Sequence, residues 1–361
     1  MASVGVVMPT ENELKALELV VQPQAARSRR YSVHPETIYT ITEDGWSLAI
    51  HHWRGQAPHR SSPIVLLHGM ATNRVNLHAD AAHSLALMAA EHGFDVYVGE
   101  VRGAGLSRPP KGVVPDYEWG FGEYARLDTP AIVHKVLERS GAEAIHAVGH
   151  SMGGMLFSAL AAKQPELLRS LTTIGTPFLQ GLELKKRESR LLQLARKITP
   201  DETRIRVPLK RLVGAAGNLA AMGAWLIDGT VLNKANMDRS VINLMAQEAI
   251  DDIPLKIFKE LGDRIFSSEA QPYEGPYDFE EQLGAIELPM MMISGSADRI
   301  APPEAVFRSA GKVSSPDLRY REMGLRFGDS IDYGHIDLLV GRDAPREVFP
   351  LVLSFIAEKD R

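Results

Sequence analysis

Short, continuously apolar segments alternate with amphipathic segments along most of this 361-residue chain. The apolar segments have the composition of strands buried on both faces, and they lie at residues 64–67, 94–98, 144–148, 170–175 and 290–295. Segments with helical periodicity lie between and after them, at residues 81–91, 129–139, 152–163 and 345–358. Strands separated by helices pair in parallel through right-handed crossovers. The pattern therefore predicts an α/β fold with a mostly parallel sheet flanked by helices.

The first part of the chain has a different pattern. Residues 37–42 and 46–54 alternate between apolar and polar side chains and flank Asp44 and Gly45, a pair typical of tight hairpin turns. This predicts an antiparallel hairpin before the parallel strands. Residues 1–35 are predicted to form an N-terminal arm with a short amphipathic helix, since Thr10 and Glu13 have the spacing of a capping box.

The strand pattern stops between residues 178 and 285. This segment is mainly helical in its periodicity and is interrupted by Pro200, Pro208 and Pro254. We interpret it as a helical cap inserted into a core that consists of residues 36–177 and 286–361.

Composition excludes several kinds of function. The chain is 45% hydrophobic and 24% charged, as expected for a soluble globular protein, and its net charge of -5 predicts no nucleic-acid partner. It contains no cysteine, which excludes disulfides, thiolate zinc sites and a cysteine nucleophile. No metal-ligand spacing or dinucleotide fingerprint is present, so we expect neither metal nor cofactor. A secretory signal and a long apolar segment are also missing, which predicts no integral membrane segment and a cytoplasmic location.

Residues 149–153 read GHSMG and match the G-x-S-x-G pattern of a nucleophile elbow. The match includes its context, because an apolar strand precedes it and a helix follows. The sharp turn between strand and helix leaves room only for small residues two positions on either side of the serine, and Gly149 and Gly153 meet that need. Ser151 is therefore the candidate nucleophile.

A serine hydroxyl needs a base within hydrogen-bond reach and an acid that orients the base. In chains with this elbow the order is serine, acid, histidine. Eleven of the twelve histidines precede Ser151, so His335 is the candidate base. Asp298 follows a predicted buried strand and is the candidate acid; Asp332 and Asp337 are rivals whose closeness to His335 favours a bracing role.

Acyl transfer also needs N–H donors for the oxyanion, each worth on the order of a hundredfold or more in rate. The backbone amide of Met152, directly after the nucleophile, is one predicted donor. The amide of Met70 is the other, since Gly69 lets the loop after the first parallel strand turn inward.

Four segments carry a likeness to a known family: LLHGM (66–70), GFDVYVGEVRGAGLSR (93–108), GHSMGG (149–154) and YGHIDLLVG (333–341). Through them the chain resembles the α/β-hydrolase superfamily and is similar to its acid-lipase branch. The likeness covers residues 38–175 and 289 to the end, and it implies the same triad and oxyanion donors. Residues 174–177 and 233–237 also faintly resemble polyester synthases, which have cysteine at the nucleophile position; Ser151 argues for hydrolysis.

The predicted cap contains apolar side chains able to line a cavity over the serine, and we expect Met222, Trp225 and Leu226, together with His150, to bind substrate. This predicts a hydrophobic ester as substrate and an esterase or lipase-like activity. An acyltransferase or thioesterase on the same fold is the first alternative, and a ligand-binding protein on a decayed hydrolase fold is the second. The acyl chain, the alcohol and the oligomeric state are not determined by the sequence.

Overall fold

The computed structural model describes residues 34–56, 58–179, 204–211, 231–266 and 278–360. The predicted N-terminal helix lies outside the described residues, and so do Met222, Trp225 and Leu226.

An eight-stranded sheet forms the centre of the molecule, in the order β1-β2-β4-β3-β5-β6-β9-β10. Its strands are β1 Glu36–Ile41, β2 Ser47–Trp53, β3 Ile64–Leu67, β4 Val96–Gly99, β5 Ile145–His150, β6 Leu168–Ile174, β9 Met290–Gly295 and β10 Leu318–Met323. The β1–β2 and β2–β4 pairs are antiparallel, and all other pairs of this sheet are parallel. This confirms the predicted α/β architecture.

Helices lie on both faces of the sheet and between β6 and β9. In the described part of the chain the α-helices are α1 Leu85–Glu91, α2 Phe121–Glu123, α3 Thr129–Ser140, α4 Met152–Lys163, α5 Arg239–Leu244, α6 Leu255–Phe266, α7 Phe279–Gly284, α8 Pro303–Ala310, α9 Asp337–Val340 and α10 Ala344–Lys359. Two short strands, β7 Arg206–Val207 and β8 Ile253–Pro254, pair between β6 and β9. The boundaries of the predicted cap stay a prediction. Within the described part of the chain, no helix combines the length and the apolar character needed to cross a membrane.

Alternate residues of the parallel strands enter opposite layers of the core. Val65 and Leu67 belong to one buried cluster, and Ile64 and Leu66 belong to the other. Because side chains alternate across a strand, a strand with helices on both faces must be apolar throughout. This is why the continuously apolar segments of the sequence mark the parallel strands.

The edge strand β10 was not foreseen from the sequence. It reads LRYREM, and five of its six residues are only partly buried. An edge strand has a partner on one side only and tolerates charged side chains such as Arg319, Arg321 and Glu322. These charges hide the apolar signal on which the strand predictions depend.

Candidate active site

Ser151 occupies a sharp turn between β5 and α4. Its backbone has φ 52° and ψ −118°, a region that a residue with a side chain rarely adopts. A Cβ at Gly153 would lie 2.3 Å from the carbonyl oxygen of Leu67, and one at Gly149 would lie 2.3 Å from the backbone of Gly153. The two glycines therefore have to be glycine for the turn to pack, as the sequence pattern predicts.

His335 and Asp298 meet through one hydrogen bond, although 37 positions separate them in the chain. His335 Nδ1 lies 2.8 Å from Asp298 Oδ2. The other carboxylate oxygen of Asp298 accepts hydrogen bonds from the amides of Ile300 at 2.8 Å and Ala301 at 2.9 Å. Because an ionised carboxylate can only accept, we assign the shared proton to Nδ1, which leaves Nε2 of His335 as an acceptor.

The loop of Asp298 and the loop of His335 hold each other in place. The amide of Ala297 donates to the carbonyl of Tyr333 at 2.8 Å. A Cβ at Gly295 would lie 2.3 Å from that same carbonyl oxygen. The missing side chain at Gly295 thus allows the close approach on which the Asp298–His335 contact depends.

The rival carboxylates brace the histidine loop from other directions. Asp337 accepts from the amides of Gly334 and Asn233, both at 3.0 Å. Burial raises the pKa of Asp337. Asp332 accepts from the hydroxyl of Ser296 at 2.8 Å. In the described part of the chain neither carboxylate hydrogen-bonds the ring of His335, and both bind groups of the neighbouring loops.

Three observations place His335 beside the serine turn. The amide of Ser151 donates to the carbonyl of Ile174 at 2.9 Å. A Cβ on the next residue, Gly175, would lie 3.2 Å from both His335 Nδ1 and Asp298 Oδ2. His150, the neighbour of Ser151, approaches the backbone of His335 as well. The three predicted side chains therefore share the carboxyl-end edge of β5, β6 and β9, where parallel sheets place their sites.

His150 is buried and packs against His335, with the two ring centroids 4.8 Å apart. Its Nε2 lies 3.1 Å from the carbonyl oxygen of His335, so Nε2 carries the proton and donates. Burial places the pKa of His150 well below its usual value. This neutral imidazole supports the backbone of the histidine loop, and the substrate-binding role predicted for it stays a prediction.

The turn after β3 lies close to Ser151. A Cβ at Gly69 would lie 3.3 Å from the Cβ of Ser151. Met70 follows in a partly buried position, and Ala71 has a positive φ of 59°. Met152 is buried at the start of α4. Met70 and Met152 directly follow Gly69 and Ser151, the two residues that approach each other here, and the oxyanion role predicted for their amides stays a prediction.

Two clusters of charged side chains, around the buried Glu100 and the buried Arg102, were missed by sequence reasoning. Glu100, fully buried, lies 3.0 Å from His51 Nε2. Burial alone would raise its pKa, but His51 and backbone donors bring the pKa of Glu100 below its usual value. Arg102 contacts Asp128 at 2.7 Å and Asp44 at 2.6 Å. The signal that could have identified these clusters in the sequence is the pair of charged residues, at positions 100 and 102, directly after an apolar strand.

The described residues contain a small cavity of about 10 Å³ beside the turn after β3. Its lining combines residues of the serine edge with residues from between β6 and β9, namely His68, Ala71, Met152, Asp251 and Ile253. A larger surface groove of about 390 Å³ lies between β1 and α3 and is lined by none of the predicted site residues.

Residues 62–341 match the family model described as alpha/beta hydrolase fold. The chain belongs to this family. Gastric triacylglycerol lipase of Rattus norvegicus is 24% identical and covers 88% of this chain and 87% of its own length. Lipase member M of Homo sapiens is 25% identical, covering 94% of this chain and 85% of its own. These relatives confirm the predicted likeness to acid lipases.

Solved structures agree on the fold. A thermophilic esterase from Thermogutta terrifontis superposes with a TM-score of 0.57 at 18% identity, covering 90% of this chain and 100% of that chain. A monoacylglycerol lipase from Paleococcus ferrophilus superposes with a TM-score of 0.55 at 17% identity, covering 86% and 99%. The family model, the lipase relatives and the shared fold together make the chain a lipase-like member of the alpha/beta hydrolase fold family.

Proposed function

We propose that this α/β hydrolase is a serine carboxylic ester hydrolase that works through an acyl-enzyme. Ser151 is the nucleophile, His335 the general base and Asp298 the acid that orients the imidazole. One observation carries the proposal: the strained serine turn lies at the same sheet edge as the 2.8 Å contact between His335 and Asp298. The lipases among the sequence relatives support an ester as substrate.

In the first half of the reaction, Ser151 Oγ attacks the carbonyl carbon of the ester while His335 Nε2 takes the hydroxyl proton. The amides of Met70 and Met152 donate to the negative oxygen of the tetrahedral intermediate. The intermediate then collapses, the bond to the alcohol oxygen breaks, and the alcohol leaves with the proton from His335. The acyl group stays on Ser151.

In the second half, a water molecule takes the place of the alcohol. His335 accepts a proton from the water as its oxygen attacks the acyl carbon, and the bond to Ser151 then breaks. The serine oxygen recovers the proton, and the carboxylic acid is released. None of these steps uses a cofactor.

A hydrophobic ester is the substrate class we favour. This rests on the apolar composition of the predicted cap and on the lipase relatives. Among the cap residues that the structure describes, Met245 and Ile257 are buried in the protein core. Both side chains add to the apolar character of this part of the chain.

The test is hydrolysis of p-nitrophenyl esters of graded acyl length by wild type and Ser151→Ala. We expect turnover that increases with acyl length over part of the series, and a loss of at least about a thousandfold in kcat for the variant. Equal turnover of wild type and Ser151→Ala would contradict the proposal.

Product analysis separates hydrolysis from acyl transfer. With an alcohol or thiol acceptor present, an ester hydrolase yields mainly the free acid, whereas an acyltransferase yields the new ester or thioester. A fluorophosphonate probe tests the non-enzymatic alternative, because a folded wild type that does not label at Ser151 would favour a ligand-binding protein.

A further inference from the structure

A segment between β6 and β9 reaches back to the turn that carries Met70. The amide of Asp251 donates to the carbonyl of Ala71 at 3.0 Å. The carboxylate oxygen Oδ2 of Asp251 accepts from Asn73 Nδ2 at 2.9 Å and from the amide of Gly105 at 2.7 Å. Asp251 and Asn73 are only 8% and 3% exposed. One buried carboxylate thus joins three segments that lie far apart in the chain.

Asn73 strengthens the same junction from the other side. Its Nδ2 also donates to the carbonyl of Glu248 at 2.8 Å, and its Oδ1 accepts from the amide of Val75 at 3.0 Å. All the hydrogen-bonding groups of this buried amide therefore point either into its own loop or to residues 248–251. A buried polar network that is satisfied in this way fixes a single arrangement of the chain.

The turn held by this network is strained. Ala71 has a φ of 59°, a backbone conformation that is unfavourable for a residue with a side chain and persists only where the surroundings enforce it. The amide of Asp251 donates to the carbonyl of Ala71 itself. The hydroxyl of Thr72 donates to the carbonyl of Gly69, two residues earlier, at 3.0 Å. The amide of Met70 lies between these two fixed carbonyls.

We infer that Asp251 is a positioning residue for the oxyanion hole. The hydrogen bonds from Asn73 and Gly105 hold the carboxylate of Asp251 in place. Its backbone amide can then hold the carbonyl of Ala71, and this orients the Met70 amide toward the reacting carbonyl. This inference rests on the proposed ester hydrolysis. An oxyanion donor contributes to rate only if it is fixed before the reaction starts, and a displacement of about 1 Å can cost a hundredfold.

The neighbouring residue provides a matched control. Asp252 accepts from the amide of Lys210 at 2.9 Å and pairs with Arg206, so its described contacts stay within the segments between β6 and β9. Asp252→Ala removes a carboxylate of the same size from the adjacent position, and the hydrogen bonds of the turn after β3 stay in place. It measures what loosening these segments alone does to activity.

The experiment compares kcat and KM for a p-nitrophenyl ester in wild type, Asp251→Ala, Asp251→Asn and Asp252→Ala. For Asp251→Ala we expect kcat to fall by about tenfold or more while KM changes by less than about threefold. Asp251→Asn keeps a carbonyl oxygen that can accept from Asn73 and Gly105, so it should recover kcat to within about threefold of wild type. Asp252→Ala should retain wild-type kcat.

Three results would overturn the inference. These are an unchanged kcat in folded Asp251→Ala, no recovery in Asp251→Asn, or an equal loss in Asp252→Ala. If Asp251→Ala does not fold, Asn73→Ala removes the same hydrogen bond from its other end and must give the same fall in kcat. Absence of Ser151-dependent turnover in wild type would instead show that the proposed hydrolysis itself is wrong.

Discussion

At the scale of single residues, the candidate site depends on which nitrogen of His335 carries the proton. Asp298 uses one carboxylate oxygen for two backbone amides and the other for His335 Nδ1. The imidazole is thereby fixed in the tautomer whose Nε2 can accept a proton. The buried His150 adds a donor to the carbonyl of His335, which fixes the loop that carries the ring.

Asp298→Asn should abolish most of the turnover while leaving the fold intact. The amide oxygen of asparagine will stay on the amides of Ile300 and Ala301, which turns its NH2 group toward His335 Nδ1. His335 then has to carry its proton on Nε2 and cannot accept from the serine. We expect kcat to fall by about 10³–10⁴ in an ester assay.

The control for this prediction is Asp332→Asn. Asp332 accepts from Ser296 and the amide of Leu325 through one oxygen, and asparagine can do the same. Its kcat should stay within about threefold of wild type. Near-normal turnover in Asp298→Asn, or a comparable loss in Asp332→Asn, would mean that the acid has been assigned to the wrong residue.

At the scale of elements, the sequence predicted those features that depend on local pattern. The parallel strands and α4 follow from apolar runs and helical periodicity, and the serine turn follows from Gly149 and Gly153. Candidate partners for Ser151 could be named because His335 is the one histidine after it and Asp298 directly follows a buried strand.

The remaining features depend on contacts that no local pattern encodes. Asp251 meets Gly105 across 146 positions and Asn73 across 178. The sequence around it, IDDIPL, has neither alternation nor helical periodicity. Strand β10 was missed for a related reason, since its charged residues are acceptable only because it forms the edge of the sheet.

Gly153→Ala should destabilise the contact between α4 and the end of β3. The added Cβ would lie 2.3 Å from the carbonyl oxygen of Leu67 and 2.9 Å from that of His68, and neither backbone group can rotate away. Overpacking of this kind costs about 1–3 kcal/mol. We expect a loss of this size in the free energy of unfolding, measured in urea.

Gly284→Ala is the matched control, because the added methyl group has room at this position. Gly284 ends α7, and the nearest atom to an added Cβ is 3.9 Å away. Alanine in a helix is favoured over glycine by up to about 1 kcal/mol, so this variant should be as stable as wild type or slightly more stable. Equal stability of both variants would show that the close approach of α4 to Leu67 can relax.

At the scale of the whole molecule, the end of the last helix contacts the segment before β3 and the start of β5. Asp360, directly after α10, accepts hydrogen bonds from the hydroxyl of Ser61 at 2.7 Å and from the amide of Ser62 at 3.0 Å. His146, at the start of β5, has Nδ1 2.8 Å from the Ser170 hydroxyl and Nε2 3.4 Å from Asp360. A titratable, fully buried side chain therefore links the last helix to the centre of the sheet.

The burial of His146 makes stability depend on pH. Burial lowers the pKa of His146 from 6.5 to about 4. As the pH falls below 6.5, the unfolded chain binds a proton at this position and the folded chain does not, so stability is present in full above 6.5 and is lost toward pH 4. At about 1.4 kcal/mol for each pKa unit, the loss from this residue amounts to about 3 kcal/mol.

His146→Gln removes the titrating group and keeps a polar side chain of similar length. The free energy of unfolding, measured by urea denaturation at a series of pH values, should therefore fall less steeply between pH 6.5 and 4 than in wild type. The exposed His134 provides the control, since His134→Gln replaces a histidine that is not buried and should change the slope less than His146→Gln does. A slope in His146→Gln equal to that of wild type would show that the folded and unfolded chains protonate His146 at the same pH, because only a difference between the two states couples a proton to folding.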